Sequence, residues 1–143
     1  FRAALEGLGI GYVLGVRSDF AAWAGGRQVR AKALATEVPA AEWYRRSCGG
    51  GAKGPRLYDW AVVRTNGPDP DKYRRAVLIR RGVSDPSDVA YFACGGPPGT
   101  PLDDLVRVAG ARWAVEECFE LAKGQCGLDG YEVRSWVGWH RHV

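Results

Sequence analysis

The stretch from Arg56 to Val83 constrains the fold most. Arg56 to Thr65 alternates, with Leu57, Asp59, Ala61 and Val63 on one side and Tyr58, Trp60, Val62 and Arg64 on the other. That period of two is the signature of a strand. Asn66-Gly67-Pro68 followed by Asp69-Pro70 is strong turn chemistry, because Gly tolerates positive φ and Pro cannot continue a ladder. Ala76 to Val83 then reads as a second strand, so residues 57–83 form a hairpin with a long tip.

Around it the chain alternates helix and strand signals. Phe1 to Leu8 reads as the last turns of a helix, with Phe1, Leu5 and Leu8 on one face and Gly9 as the stop. Ile10 to Val16 is nearly all apolar and suits a buried strand covered on both faces, as in an α/β sheet. Val38-Pro39 and the residues from Ala40 to Arg46 suggest a loop entering a short helix. Cys48 to Pro55 is rich in Gly around Lys53, which suits a connector or a phosphate-contacting turn. It lacks the Gly-Lys-Ser/Thr ending of a P-loop. Val89 to Cys94 suits another short strand, and Gly95 to Gly99 a linker. Thr100 then suits an N-cap, with Pro101 in the first helical position and Asp103 completing a capping box. The helix that follows carries an apolar stripe of Leu105, Val108, Val115, Phe119 and Ala122, with Gly110 as a tolerated weak point.

Charge is unevenly distributed. The net charge is +4, but residues 27–81 hold thirteen Lys/Arg against five Asp/Glu, a balance of +8. A basic segment of this kind suits a phosphate-facing surface. Trp43 and Trp60 interleave with Arg45, Arg46 and Arg56, which would combine phosphate contact with base stacking; the alternative is that the Trp side chains fill the segment's own core. With 46% hydrophobic and 25% charged residues, the chain reads as globular. No apolar run is long enough for a membrane span, and no signal peptide is visible. Four cysteines without a Cys-x2-Cys pair argue against zinc and for reduced thiols in a cytoplasmic protein. The absence of Met and the start at Phe1 suggest a trimmed or partial chain.

Arg112 to Lys123 carries the functional signal. Arg112, Glu116 and Lys123 stand four and seven residues apart, within about 40° of one line on a helix. A carboxylate between two cations suits a divalent metal and a phosphodiester, although a solvated face with ion pairing has the same spacing.

The surrounding residues resemble the C-terminal catalytic segment of DDE transposases from bacterial insertion sequences. Arg112, Glu116 and Lys123 match the last three elements of a Tyr-x2-Arg-x3-Glu-x6-Lys signature, while Ala109 stands at the Tyr position. Gly127 to Trp136, Gly138 to His142 and Ser47 to Trp60 are similar to that family too. The resemblance implies an incomplete ribonuclease-H-like core of α/β (α+β) class with a β-rich insertion. Residues 1–19 would be a helix-strand piece of that core, 20–98 the basic insertion, and 99–143 the core helix with the third acidic residue. It implies Mg²⁺ or Mn²⁺ chemistry in the intact family member, with Glu116 as catalytic carboxylate and metal ligand.

In the same reading Arg112 and Lys123 contact phosphate, and Arg45, Arg46, Lys53 and Arg56 follow the DNA backbone. The partners implied are double-stranded transposon-end DNA and a second copy or an intact transposase. The first two catalytic Asp have no counterpart in the sequence, so the chain is expected to be inactive alone. The alternative is a non-catalytic DNA-binding or inhibitory remnant. For architecture, the expectation is an incomplete central sheet containing Ile10 to Val16, with residues 57–83 apart from it.

Overall fold

The computed structural model describes residues 1–51, 54–67 and 71–126, with the backbone alone described at several positions of the last helix, including Arg112 and Glu116. The chain divides into two compact units, Phe1–Ala111 and Arg112–Val143. The first unit is a mixed α+β structure. It contains α1 (Arg2–Gly7), β1 (Tyr12–Val16), β2 (Ala21–Ala24), β3 (Arg27–Arg30), α2 (Ala31–Glu37), a single 3-10 turn (Ala40–Glu42), β4 (Tyr44–Gly51), β5 (Gly54–Thr65), β6 (Arg74–Gly82), β7 (Val89–Gly96) and the start of α3 (Leu102–Cys126).

The expected hairpin is the centre of the fold. β5 and β6 pair antiparallel from Tyr58 opposite Gly82 to Thr65 opposite Arg75. Both are flanked, giving one five-stranded antiparallel sheet in the order β1-β7-β6-β5-β4, while β2 and β3 pair separately. This corrects the expected separation of residues 57–83 from Ile10 to Val16. β7 lies between β6 and β1, with Tyr12 opposite Gly95 and Val16 opposite Tyr91. β1 is therefore an edge strand, and its mixed burial shows that it is not covered on both faces. Only Tyr12 in it is fully buried, and Gly15 is exposed. A short apolar run cannot by itself distinguish an edge from a centre.

Alternation along the strands makes two faces. One carries Val63, Val77 and Ile79 and packs under the β2–β3 hairpin and α2, through Ala22, Ala24, Val29, Ala31 and Leu34. The hairpin turns at Gly25 and Gly26, both at positive φ (59° and 79°), as a two-residue connection favours. The other face carries Trp60, Leu78, Phe92 and Cys94, all buried. The first turns of α3 accompany this face. Arg46 Nε reaches Asp103 Oδ1 at 2.8 Å, and Leu105 lines a cavity with Val62, Ala76 and Cys94.

Several local expectations are corrected. Residues 40–46 hold only one 3-10 turn, Ala40–Glu42, and then enter β4 at Tyr44, and Cys48 to Pro55 lies largely within β4 and β5 around a register shift. The Thr100 hydroxyl donates to the Pro97 carbonyl (2.7 Å), and Asp103 pairs with Arg46 instead of closing a capping box. Among the described residues of α3, Val106, Ala109 and Gly110 are buried, whereas Val108, Val115 and Phe119 are exposed. Gly110 fits so closely that a Cβ there would run into the Cys48 carbonyl. At α1 the expected apolar face is also outward: Phe1 and Leu8 are exposed, and no residue of the helix is fully buried.

Candidate nucleic-acid interface

The basic segment is built on the central strands, and register decides which charges meet. Asp59 on β5 lies directly opposite Arg45 on β4 and Arg81 on β6. Arg45 Nε stands 3.0 Å from Asp59 Oδ1, and Arg81 Nη2 stands 3.6 Å from Oδ2. One carboxylate thus serves two guanidiniums, leaving the trio one positive charge. The Arg81 guanidinium also lies 3.9 Å above the Trp43 ring, a cation–π contact that holds it flat. The Arg45 side chain remains 57% exposed, so it can still present N–H groups to an anion.

The opposite face repeats the device. Arg80 is buried, donates from Nη2 to Asp88 Oδ1 at 2.6 Å and lies 4.3 Å over the Tyr58 ring. Arg46 pairs with Asp103, and its backbone carbonyl accepts from Trp60 Nε1 at 3.3 Å. Arg45 and Arg46 are adjacent in sequence and point to opposite faces. Trp60 is completely buried, so it fills the core and cannot stack on a base. Arg56 is half-buried on β5. Lys53 lies outside the described residues.

At the far end of the sheet, Glu6 ties α1 to the strands. Arg75 donates to both Glu6 oxygens (2.8 and 2.6 Å), and the Tyr12 hydroxyl donates to Oε1 at 2.8 Å. The Arg75 hydrogen bonds hold the Glu6 carboxyl below its ordinary range, against the opposing effect of burial. Burial, then the Glu6 hydrogen bond, pushes the Tyr12 phenol up to about 12. Tyr73 donates to the Ile10 carbonyl at 2.6 Å, closing the same corner.

Arg112, Glu116 and Lys123 all fall on α3, which runs unbroken across them. They lie in the second unit, where Lys123 is exposed and Arg112 and Glu116 are described by backbone alone. Among the described residues no three His, Cys, Asp or Glu side chains gather as a metal site. Most of the described carboxylates of the first unit are committed elsewhere. Asp19, Glu37, Asp59, Asp88, Asp103 and Asp104 each face an arginine, and Glu6 is clamped by Arg75 and Tyr12. Among the described residues these paired carboxylates do not converge on one point, as the oxygen ligands of a divalent cation do.

Reading the sequence missed Arg64, Arg74, Arg75 and Arg81 as members of the basic surface. The doublets Arg74-Arg75 and Arg80-Arg81 at the two ends of β6 were the available signal. Asp59, the lone charge in an otherwise apolar row, was the signal for the ion-paired trio. Compared with protein families, curated proteins and solved structures, the chain gives no significant match to any of them.

Proposed function

We propose that the chain is part of a DDE transposase of bacterial insertion sequences, with a ribonuclease-H-like core, and that by itself it binds duplex DNA without cutting it. The observation that carries this reading is the signature Arg112, Glu116 and Lys123, set on one continuous helix. The +8 balance of residues 27–81 supports the DNA part. Arg45 and Arg46 sit at the rim of the sheet with partly exposed guanidiniums; Arg45 shares the Asp59 carboxylate with Arg81, and Arg46 pairs with Asp103. Such groups position a phosphate backbone without reading bases.

In this reading Glu116 is the third carboxylate, and Arg112 and Lys123 hold phosphate oxygens. The two partner Asp have no counterpart in the sequence, and no step of strand cleavage follows from one carboxylate. A non-catalytic remnant that inhibits an intact relative has the same chemistry; the arginine–carboxylate pairing of the first unit favours it over an active nuclease.

The test is binding of a labelled duplex over a salt series. Affinity should be weak, independent of sequence and steeply salt-dependent. Replacing Arg45, Arg46, Lys53 and Arg56 by Ala should weaken it and flatten the salt slope. Unchanged affinity and slope in that variant would remove the DNA reading.

A further inference from the structure

The row Arg45–Asp59–Arg81 crosses three strands of the sheet, and exposure separates its members. The Asp59 side chain is only 17% exposed, against 57% for Arg45 and 33% for Arg81. The carboxylate is sunk between its two cations, so solvent meets guanidinium more than anion. On β7 the row ends in Val89, opposite Arg81, so β7 adds no second carboxylate.

Both guanidiniums are held in place through Asp59. Arg45 donates from Nε to Oδ1 at 3.0 Å and from Nη2 to Oδ2 at 3.4 Å. This side-on fork fixes the guanidinium plane and uses one of its edges. The Nη1 group and the outer Nη2 hydrogen are left to donate elsewhere. Arg81 Nη2 approaches the same Oδ2 at 3.6 Å, and its guanidinium lies 3.9 Å over the Trp43 ring. Trp43 in turn packs against the core beneath α2. A surface arginine ordinarily loses rotamer freedom when it grips a phosphate, and in these two the fold has already removed much of it. Arg46, the next residue on β4, differs. Its partner Asp103 is the more exposed member of that pair, so an anion approaching Arg46 also meets a carboxylate.

We propose that Asp59 is a positioning residue, which holds Arg45 and Arg81 as a preset pair for phosphodiester groups of a duplex backbone. The phosphate-contacting face is then the Arg45–Arg81 side of the sheet and not the Arg46 side. The inference rests on the DNA-binding reading and says how that surface works.

The test is anisotropy of a short labelled duplex over a salt series, with the full chain. The variants are Arg45→Ala, Arg81→Ala, Arg46→Ala, the Lys forms Arg45→Lys and Arg81→Lys, and Asp59→Asn. Melting curves check that each is folded. Arg45→Ala and Arg81→Ala should each weaken binding roughly tenfold, because a charge-assisted hydrogen bond is lost, and each should flatten the salt slope by about one. Arg46→Ala should leave affinity nearly unchanged. The Lys forms keep the charge and lose the planar fork, so affinity should fall several-fold while the salt slope holds. Asp59→Asn should weaken binding roughly threefold or more, although it makes the surface more positive. Charge alone predicts the reverse, since one carboxylate fewer attracts phosphate better. Should Asp59→Asn fail to fold, the two Lys forms carry the test. If Asp59→Asn tightens binding and the Lys forms match the wild type, the DNA reading stands and the positioning role falls. If the Ala variants at 45 and 81 leave duplex binding untouched, this row is not the contact surface and the proposal falls with it. A wild-type chain that binds no duplex would overturn both.

Discussion

At the residue scale, Gly110 and Glu6 show how context overrides residue type. A Gly inside a helix ordinarily costs about 1 kcal/mol relative to Ala, so Gly110→Ala would stabilise a free helix. Here a Cβ would collide with the Cys48 carbonyl on β4, and overpacking costs about 1–3 kcal/mol. Gly110→Ala should therefore lower the urea midpoint, and a raised midpoint would show that the α3–β4 approach is looser than described. Glu6 and Tyr12 give opposite pH limbs. The Glu6 carboxyl is held below the ordinary value of 4.5, so its contribution is present above that value and lost as pH falls through the lowered one. Tyr12 is raised from 10.0 to about 12, so its contribution is present below 10 and lost as pH rises toward 12. Stability measured against pH should lose part of its acid limb in Glu6→Gln and part of its alkaline limb in Tyr12→Phe. A Glu6→Gln curve parallel to the wild type at low pH would remove Glu6 from the argument.

At the scale of elements, β5 links the two faces of the sheet. Trp60 on β5 is fully buried, its ring centroid 6.1 Å from that of Phe92 on β7 and 6.2 Å from that of Tyr58. Trp60→Ala should destabilise by about 3–5 kcal/mol through the cavity it leaves. The Arg46–Asp103 pair joins β4 to α3 at the surface, with side chains 45% and 71% exposed. Water and salt screen such a pair, so Arg46→Ala should cost less than about 1 kcal/mol. Denaturant unfolding of both variants checks the ranking; an equal or larger loss in Arg46→Ala would place the α3 attachment, not the aromatic core, at the centre of stability.

At the scale of the whole molecule, the basic strands and the proposed catalytic signature fall in different units. The first unit carries the basic strands, and the second carries Arg112, Glu116 and Lys123. Purified chain given Mg²⁺ or Mn²⁺ should leave supercoiled DNA intact, because one committed carboxylate position cannot assemble a two-metal site. Metal-dependent nicking abolished by Glu116→Ala would mean that a ligand pair among residues 1–143 had gone unrecognised.

Local pattern alone determined much of this protein. The alternation of Arg56 to Thr65, the turn residues after it and the run of Ala76 to Val83 specified the β5–β6 hairpin, since side-chain period and turn chemistry are properties of consecutive residues. The helix through Arg112, Glu116 and Lys123 was legible for the same reason. Tertiary structure decided what lies at a distance along the chain. It set β7 between β6 and β1, made Ile10 to Val16 an edge, and turned α3 so that Gly110 and not Val108 faces the sheet. These outcomes depend on which surfaces meet, and a short apolar run is compatible with several. The candidate site divided in the same way. Composition located the basic segment, but only register brought Asp59 between Arg45 and Arg81. Ion pairs across strands are made by residues far apart in sequence, and pairing alone determines which of them become neighbours.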